Sequence, residues 1–415
     1  MAMITEDEVN VLAERLVRRT EQANIYFLKK IGEIIKQIRD IRPTEAHQLE
    51  QMLLYGGNYE EIINKIKKYT NLSTKDIDDI FSSYAKRDQQ FYKAFYAYKD
   101  VPFVEFAKND ILINQTKALA KTTQNEFLKF MRPKVLGYTL TDIDGVVRFK
   151  GLKEVYNRVV DEAILNVSQG KETYNEAMQK IMKELGGSGL KTIDFESGRS
   201  VRADSMVRQH IKTALKKLHT ANEERIGEEI DFDGWEITTH SNPAPDHQYA
   251  QGRRFTIEEF NKLQKEGKAK DVNGKIINMH PKRKDKSEAP YFRPIAENNC
   301  YHTAFSVILG ITKPEHTEEE LKEIIDKNNK GFKYKGKKYT MYQGTQLQRQ
   351  LETEIRKQKD IQIMAKESGD MDLVDQAQSR ISVLLNKYKE VSDISGLPMK
   401  TKRLEVAGYK RTKIK

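Results

Sequence analysis

Apolar residues recur along the first third of the chain at intervals of three and four. Val9, Leu12 and Leu16 form one stripe, and Ile25, Leu28, Ile31, Ile35 and Ile38 form the next. Leu49, Met52 and Leu53 continue the pattern, followed by Ile62, Ile63 and Ile66. That spacing returns a side chain to the same face of an α-helix at every turn, so residues 5–130 are predicted as consecutive amphipathic helices. Thr5 and Glu8 have the spacing of a capping box at the first start. From Phe91 to Phe106 the pattern becomes aromatic, with Phe91, Tyr92, Phe95, Tyr96 and Tyr98. Rings at that spacing suit core or partner packing better than a platform for stacked bases. Faces this rich in Ile, Phe and Tyr require partner helices to cover them.

The period changes between residues 131 and 150. Two β-like runs, Val135–Leu140 and Val146–Phe149, flank the turn Asp142 to Gly145, which predicts a hairpin and a boundary between regions. Helical spacing then resumes through Leu152, Val155, Tyr156, Val159, Val160, Ala163, Ile164 and Val167. A second face runs through Tyr174, Met178, Ile181, Met182 and Leu185 up to the stop signal Gly186–Gly189. After a loop from Asp194 to Ser200, a helix from Arg202 to Ile226 leads to Trp235.

The stretch from Trp235 to Gly310 reads differently. Trp235–His240 alternates like a strand, and Ser241–His247 contains two prolines that forbid a helix. Thr256 and Glu259 form a capping box, with Phe255 and Phe260 in the positions of a hydrophobic staple. Asn273-Gly274 marks a tight turn. Thr317 and Glu320 open a short acidic helix, and Phe332–Thr340 reads as a hairpin turning at Gly336. A helix from Gln346 to about Ala365 follows, and another carries Val374, Ala377, Ile381, Leu384, Tyr388 and Val391. The expected organisation is a mainly α, elongated multi-helix protein with a small α+β module in its C-terminal half. The parts are an N-terminal helical region (1–130), a hairpin with further helices (131–229), the module (230–345), and a helical hairpin with a basic tail (346–415).

Composition supports the elongated reading: of 415 residues, 38% are hydrophobic and 32% charged, which leaves limited material for a large core. One cysteine excludes an internal disulfide framework and fits assembly in a reducing cytoplasm. No apolar run approaches the ~20 residues of a membrane span, and no export signal opens the chain. The net charge of +11 is concentrated near the end of the chain. Between Met399 and Lys415 stand seven basic residues, Lys400, Lys402, Arg403, Lys410, Arg411, Lys413 and Lys415, against one acid, Glu405. A segment so poor in apolar residues is not expected to fold alone, and its charge suits a polyanion such as DNA.

Chemistry is most concentrated in the module, which holds the only cysteine and the only tryptophan. Three readings of its polar residues compete. In the first, His240, His247, Cys300 and His302 converge on a zinc ion, the candidate cofactor, since Cys and His are its usual ligands. In the second, Asp246-His247 with Asn298, Cys300 and His302 imitates an HNH nuclease, a metal-dependent enzyme acting on DNA. Its spacing is too long and its Asp-His lies in a proline-rich turn. In the third, these side chains only satisfy turns and a small core.

Several ordered motifs carry a resemblance. They are Asp194–Ser200, His240-x-Asn-x-Ala-Pro-Asp-His247 with Gln251-Gly252, and Asn299-Cys-Tyr-His302. Tyr339–Arg349 with Glu354-Ile-Arg356, and Gly396-Leu-Pro398 before Arg403, agree with them. Together they resemble the phage minor capsid protein 2 family, among the head-morphogenesis proteins of tailed phages, over roughly residues 150–415. The resemblance implies a structural protein with no catalysis, carried in several copies in the capsid interior after assembly in the host cytoplasm. The partners expected are the portal or major capsid protein, with packaged DNA as a further contact on the strength of the basic tail, and no membrane.

Overall fold

The structure, a computed structural model, describes residues 6–41, 45–167, 169, 171–280, 292–297, 300 and 302–412. Thr5, Asn298, Asn299, Tyr301, Lys413 and Lys415, all named above, lie outside the described residues.

The N-terminal stripes fold as long helices. They are α1 (Glu6–Arg39), α2 (Ala46–Tyr55), α3 (Asn58–Tyr98) and α4 (Asp110–Met131). With 41 residues, α3 is about 60 Å long at 1.5 Å per residue, which makes the body elongated. Asn109 caps α4 by accepting the Leu112 N–H at 3.0 Å. Along α1, Leu16, Phe27, Leu28, Ile31 and Ile38 are fully buried.

Part of the cover for these faces comes from the far end of the same chain. The hairpin β1 (Leu136–Thr141) and β2 (Val147–Gly151) forms as expected, antiparallel from Gly137↔Gly151 to Thr141↔Val147. It is followed by α5 (Leu152–Val167), α6 (Lys171–Ser188), a second small hairpin of β3 (Lys191–Ile193) and β4 (Ser200–Arg202), and α7 (Ala203–Ile230). The strands make one sheet in the order β2-β1-β3-β4. Further on, α10 (Met341–Ser368) and α11 (Met371–Ser395) return to the same body, and one hydrophobic core holds Leu28, Phe81, Val159, Met182, Leu215 and Met364 together. The contact of α1 with α10 is close enough to require glycine: a Cβ at Gly32 would stand 2.7 Å from the Met364 carbonyl oxygen. Asn24 of α1, also buried, bonds the Asp360 carboxylate of α10 (3.2 Å), the Tyr138 hydroxyl (2.9 Å) and the Leu190 N–H (3.1 Å).

Between α7 and α10 lies the small α+β module. Its sheet runs β6-β5-β9, all antiparallel, from β5 (Gly234–Ile237), β6 (Arg254–Thr256) and β9 (Ala304–Val307). It also contains α8 (Ile257–Glu266), capped by Thr256, and a hairpin of β7 (Lys268–Lys270) and β8 (Ile276–Asn278) that turns at Gly274. The module has its own core of Ile237, Phe255, Leu263, Ile277 and Met279, with Trp235 stacked on Phe260 at 5.3 Å. The Thr317–Glu320 capping box opens α9 (Glu318–Lys330), and β10 (Phe332–Tyr334) pairs with β11 (Lys337–Tyr339).

Two expectations need correction. The helix expected from Gln346 begins at Met341, because Thr340 and Gln343 form a capping box and Gly344 is tolerated where Phe332 and Leu397 pack too close for a side chain. The basic tail is no free extension. From Thr401 to Leu404 it makes a turn of 3-10 helix, and Leu404 is buried among Ile355, Ile381, Leu384 and Tyr388. Lys359 sits 4.5 Å over the Tyr409 ring, and the Tyr409 hydroxyl donates to Gln378. The segment cannot make a core of its own, but α10 and α11 supply one ready-made.

Candidate metal centre

Two halves of the chain more than fifty residues apart are joined by one strand register. Ile237 of β5 pairs with Ala304 of β9, and the Thr238 N–H donates to the Thr303 carbonyl at 2.9 Å. Residues just after β5 therefore meet residues just before β9. The proline-rich segment then turns back, with the His247 N–H donating to Ala244, and brings His247 alongside. From the other side, Lys216 of α7 donates to the carbonyls of Cys300 and His302, at 3.3 Å for the latter.

The result is a buried cluster. One ligand atom each of His247, Cys300 and His302 lie within 4.8 Å of one another. Cys300 Sγ is 3.3 Å from His247 Nδ1 and 3.6 Å from His302 Nδ1. What surrounds the two imidazoles fixes their tautomers. His247 Nε2 lies 2.6 Å from the Arg293 carbonyl oxygen, which can only accept, so Nε2 carries the proton. His302 Nε2 lies 3.1 Å from Gln251 Oε1, an oxygen identified by the His240 N–H that also donates to it at 3.0 Å. His302 Nδ1 is thus left with a lone pair. Burial alone would lower the His247 pKa, but the Cys300 contact outweighs it and raises it, so His247 Nδ1 shares a proton with the sulfur that both rings face. That shared proton serves only one of the two rings. A metal ion in place of that proton would serve both, and bond lengths of about 2.3 Å to sulfur and 2.0 Å to nitrogen set ligand S and N roughly 3.5 Å apart in a tetrahedral site. The observed separations bracket that value.

Charge favours the same reading. Burial holds His302 neutral, well below its ordinary pKa, and the nearby His240, His247 and Lys216 push in the same direction. Burial alone would raise the Cys300 thiol, but the His247 contact and the Lys216 ammonium outweigh it and hold the thiol below its usual value. The His302 N–H also donates to Sγ at 3.3 Å, which stabilises a thiolate. Acceptor oxygens behind both rings are the outer partners that metal-ligating histidines ordinarily have.

Of the four ligands expected from the sequence, the structure assembles three. His240 packs edge-on against His302, 4.6 Å between ring centroids, outside the converging set. Asp246 grips Arg293 through two bonds of 2.7 Å, and its carboxylate also lies 3.8 Å from His247 Nε2, the ring nitrogen that does not face the sulfur. Of the tail residues, Lys400 and Arg403 border a cavity of about 690 Å³ that His240, His247, Cys300 and His302 also line. Lys402, Lys410 and Arg411 lie elsewhere on the docked tail. Sequence reasoning missed Lys216 altogether: a lysine within a helix gives no sign that its ammonium is buried against another segment. It also missed a second buried set, Asp88, His219 and Glu223.

A long-helix body carrying an inserted His/Cys module defines the class. The family model described as Phage minor capsid protein 2 matches residues 4–391, nearly the whole chain. The chain belongs to that family and is a structural minor component of a phage capsid, assembled with other virion proteins. Neither the curated proteins nor the solved structures gave a match. Among the described residues, no helix is long and apolar enough to cross a membrane.

Proposed function

We propose that this chain is an internal component of the phage head, present in several copies and held there by portal or coat protein. In this reading a zinc ion on His247, Cys300 and His302 locks the central module, and the helical body presents the binding surfaces. The observation that carries the zinc is the convergence of one sulfur and two Nδ1 atoms at ligand spacing. Three protein ligands leave a fourth position, and all three line the cavity, so that position opens toward it. Support for an interior place comes from the net charge of +11 and from the basic tail, which suit a neighbour made of packaged DNA. The role is read as structural, since the module's buried carboxylates, Asp246, Asp271 and Glu236, are spent on Arg293, Arg253 and Arg254.

Mass spectrometry of purified heads, filled and emptied of DNA, combined with protease treatment of intact and opened particles, tests the placement. The protein should be present in both kinds of head and be cut only after opening. Its absence from purified heads, or cleavage in intact ones, would overturn the reading.

A further inference from the structure

The cavity beside the His/Cys centre is lined by four separate parts of the chain: α7, the module, α10 and the segment after α11. Among the described residues, eight lysines and arginines face it against a single carboxylate, Glu352. Four are arginines, three of them held by carboxylates that do not line the cavity: Arg208 by Glu14 at 2.7 Å, Arg293 by Asp246 and Arg356 by Asp204, while Arg403 lies 3.8 Å from Glu352 on the cavity wall itself. Their side chains keep only 21, 18, 12 and 18% of their exposure. Lys212, Lys216, Arg349 and Lys400 complete the set.

Solvated charges on an open face need no counterion, because water screens them. Largely buried cations around one shared space are different: their repulsion is poorly screened, and a bound anion relieves it. Guanidinium groups braced by carboxylates are also oriented in advance, which suits two-pronged bonds to phosphate oxygens. We infer that this cleft binds a phosphate chain, either the backbone of a single nucleic-acid strand or a free polyphosphate. Cations on four walls call for several phosphates and not one. The volume of about 690 Å³ is that of a small-ligand site, so a duplex would engage it only through an unpaired end. Tyr342 and Pro398 give the same cleft a less polar wall on which a base or sugar can rest. The inference goes beyond head assembly. Its failure would leave that reading intact, because incorporation into heads is measured separately.

The test uses the full chain, with fluorescence anisotropy on a labelled single-stranded octanucleotide and competition by inorganic tripolyphosphate, at low and moderate salt. The double variant Lys212→Gln/Lys400→Gln changes two walls of the cleft, and Lys402→Gln/Lys410→Gln changes the tail outside it. The cleft variant should bind about tenfold more weakly with a shallower salt dependence, and the tail variant within about twofold of the unaltered protein. Circular dichroism melting confirms that both variants fold. Displacement of the strand by tripolyphosphate at similar concentration identifies phosphate chains in general as the ligand, and failure to displace identifies the nucleic-acid strand. Equal binding by the cleft variant, an equal loss in the tail variant, or no binding of either probe at low salt would overturn the inference.

Discussion

His219 of α7 donates from Nδ1 to the Asp88 carboxylate of α3 across 2.8 Å, with both side chains buried. Its Nε2 faces the Ala304 carbonyl oxygen at 3.0 Å, so both ring nitrogens meet acceptors and the ring is an imidazolium. With no lone pair to spare, this set reads as a buried ion cluster and not as a second metal site. Asn222 donates to Asp88, and Glu223 accepts the Ser306 N–H at 2.7 Å. The cluster therefore joins the N-terminal helices, α7 and the module through β9.

The joint is pH-dependent. Burial alone would lower the His219 pKa, but Asp88 and Glu223 outweigh it and raise it from 6.5 to about 9. A group raised on folding contributes fully below its unfolded pKa, and its contribution disappears as pH rises through the folded value. Stability should therefore fall between pH 6.5 and 9, by at most about 3 kcal/mol from this group. Thermal melting across that range checks it. His219→Gln should flatten the slope, and an unchanged slope in the variant would assign the dependence elsewhere.

Asn24 predicts how the body unfolds. Asn24→Ala would leave Asp360 and the Tyr138 hydroxyl buried with one partner fewer, at a cost of about 2–4 kcal/mol. Because α1 shares its core with α7 and α10, the loss should appear in one transition of the whole helical body. For the same reason residues 6–131 made alone should self-associate. A cooperative monomer in sedimentation and melting would contradict the shared core.

Gly32 makes a sharper version of the same point. Gly32→Ala places a methyl group 2.7 Å from the Met364 carbonyl oxygen and 2.8 Å from Glu367 Cβ, which forces α1 and α10 apart. A loss of about 1–3 kcal/mol is expected by chemical denaturation, although alanine is the better helix former. A gain in stability would show that the two helices do not approach as described.

The docked tail yields a fourth expectation. Leu404→Ala should cost about 2–4 kcal/mol in the α10–α11 region, because its side chain fills a site among Ile355, Ile381 and Tyr388. Hydrogen exchange on those two helices reads it directly. Unchanged protection there would mean that the tail detaches in solution.

Much of this architecture was legible in residue order. The stripes of α1, α3, α5 and α6, the β1–β2 hairpin and the caps at Thr256 and Thr317 are local signals, set by spacings of two to four residues. The zinc candidates were visible as residue types, since His247, Cys300 and His302 stood out by their chemistry. The sequence could not show that His240 stops short of the set, because that depends on how the proline turn folds back. Lys216 and the trio of Asp88, His219 and Glu223 were invisible for a related reason: Lys216 meets Cys300 84 residues away in sequence, and His219 meets Asp88 131 residues away. The tail misled because its charge is local information, whereas the pocket for Leu404 belongs to other helices.

Metal content is the most direct measurement of the central claim. Full-length protein produced in zinc-containing medium and purified without chelators should carry about one equivalent of zinc by elemental analysis. Cys300→Ala should abolish it, and His240→Ala should keep it. Chelation should lower the melting of the central module and leave the helical body nearly unchanged. Less than about a tenth of an equivalent, with the same melting before and after chelation, would contradict the account.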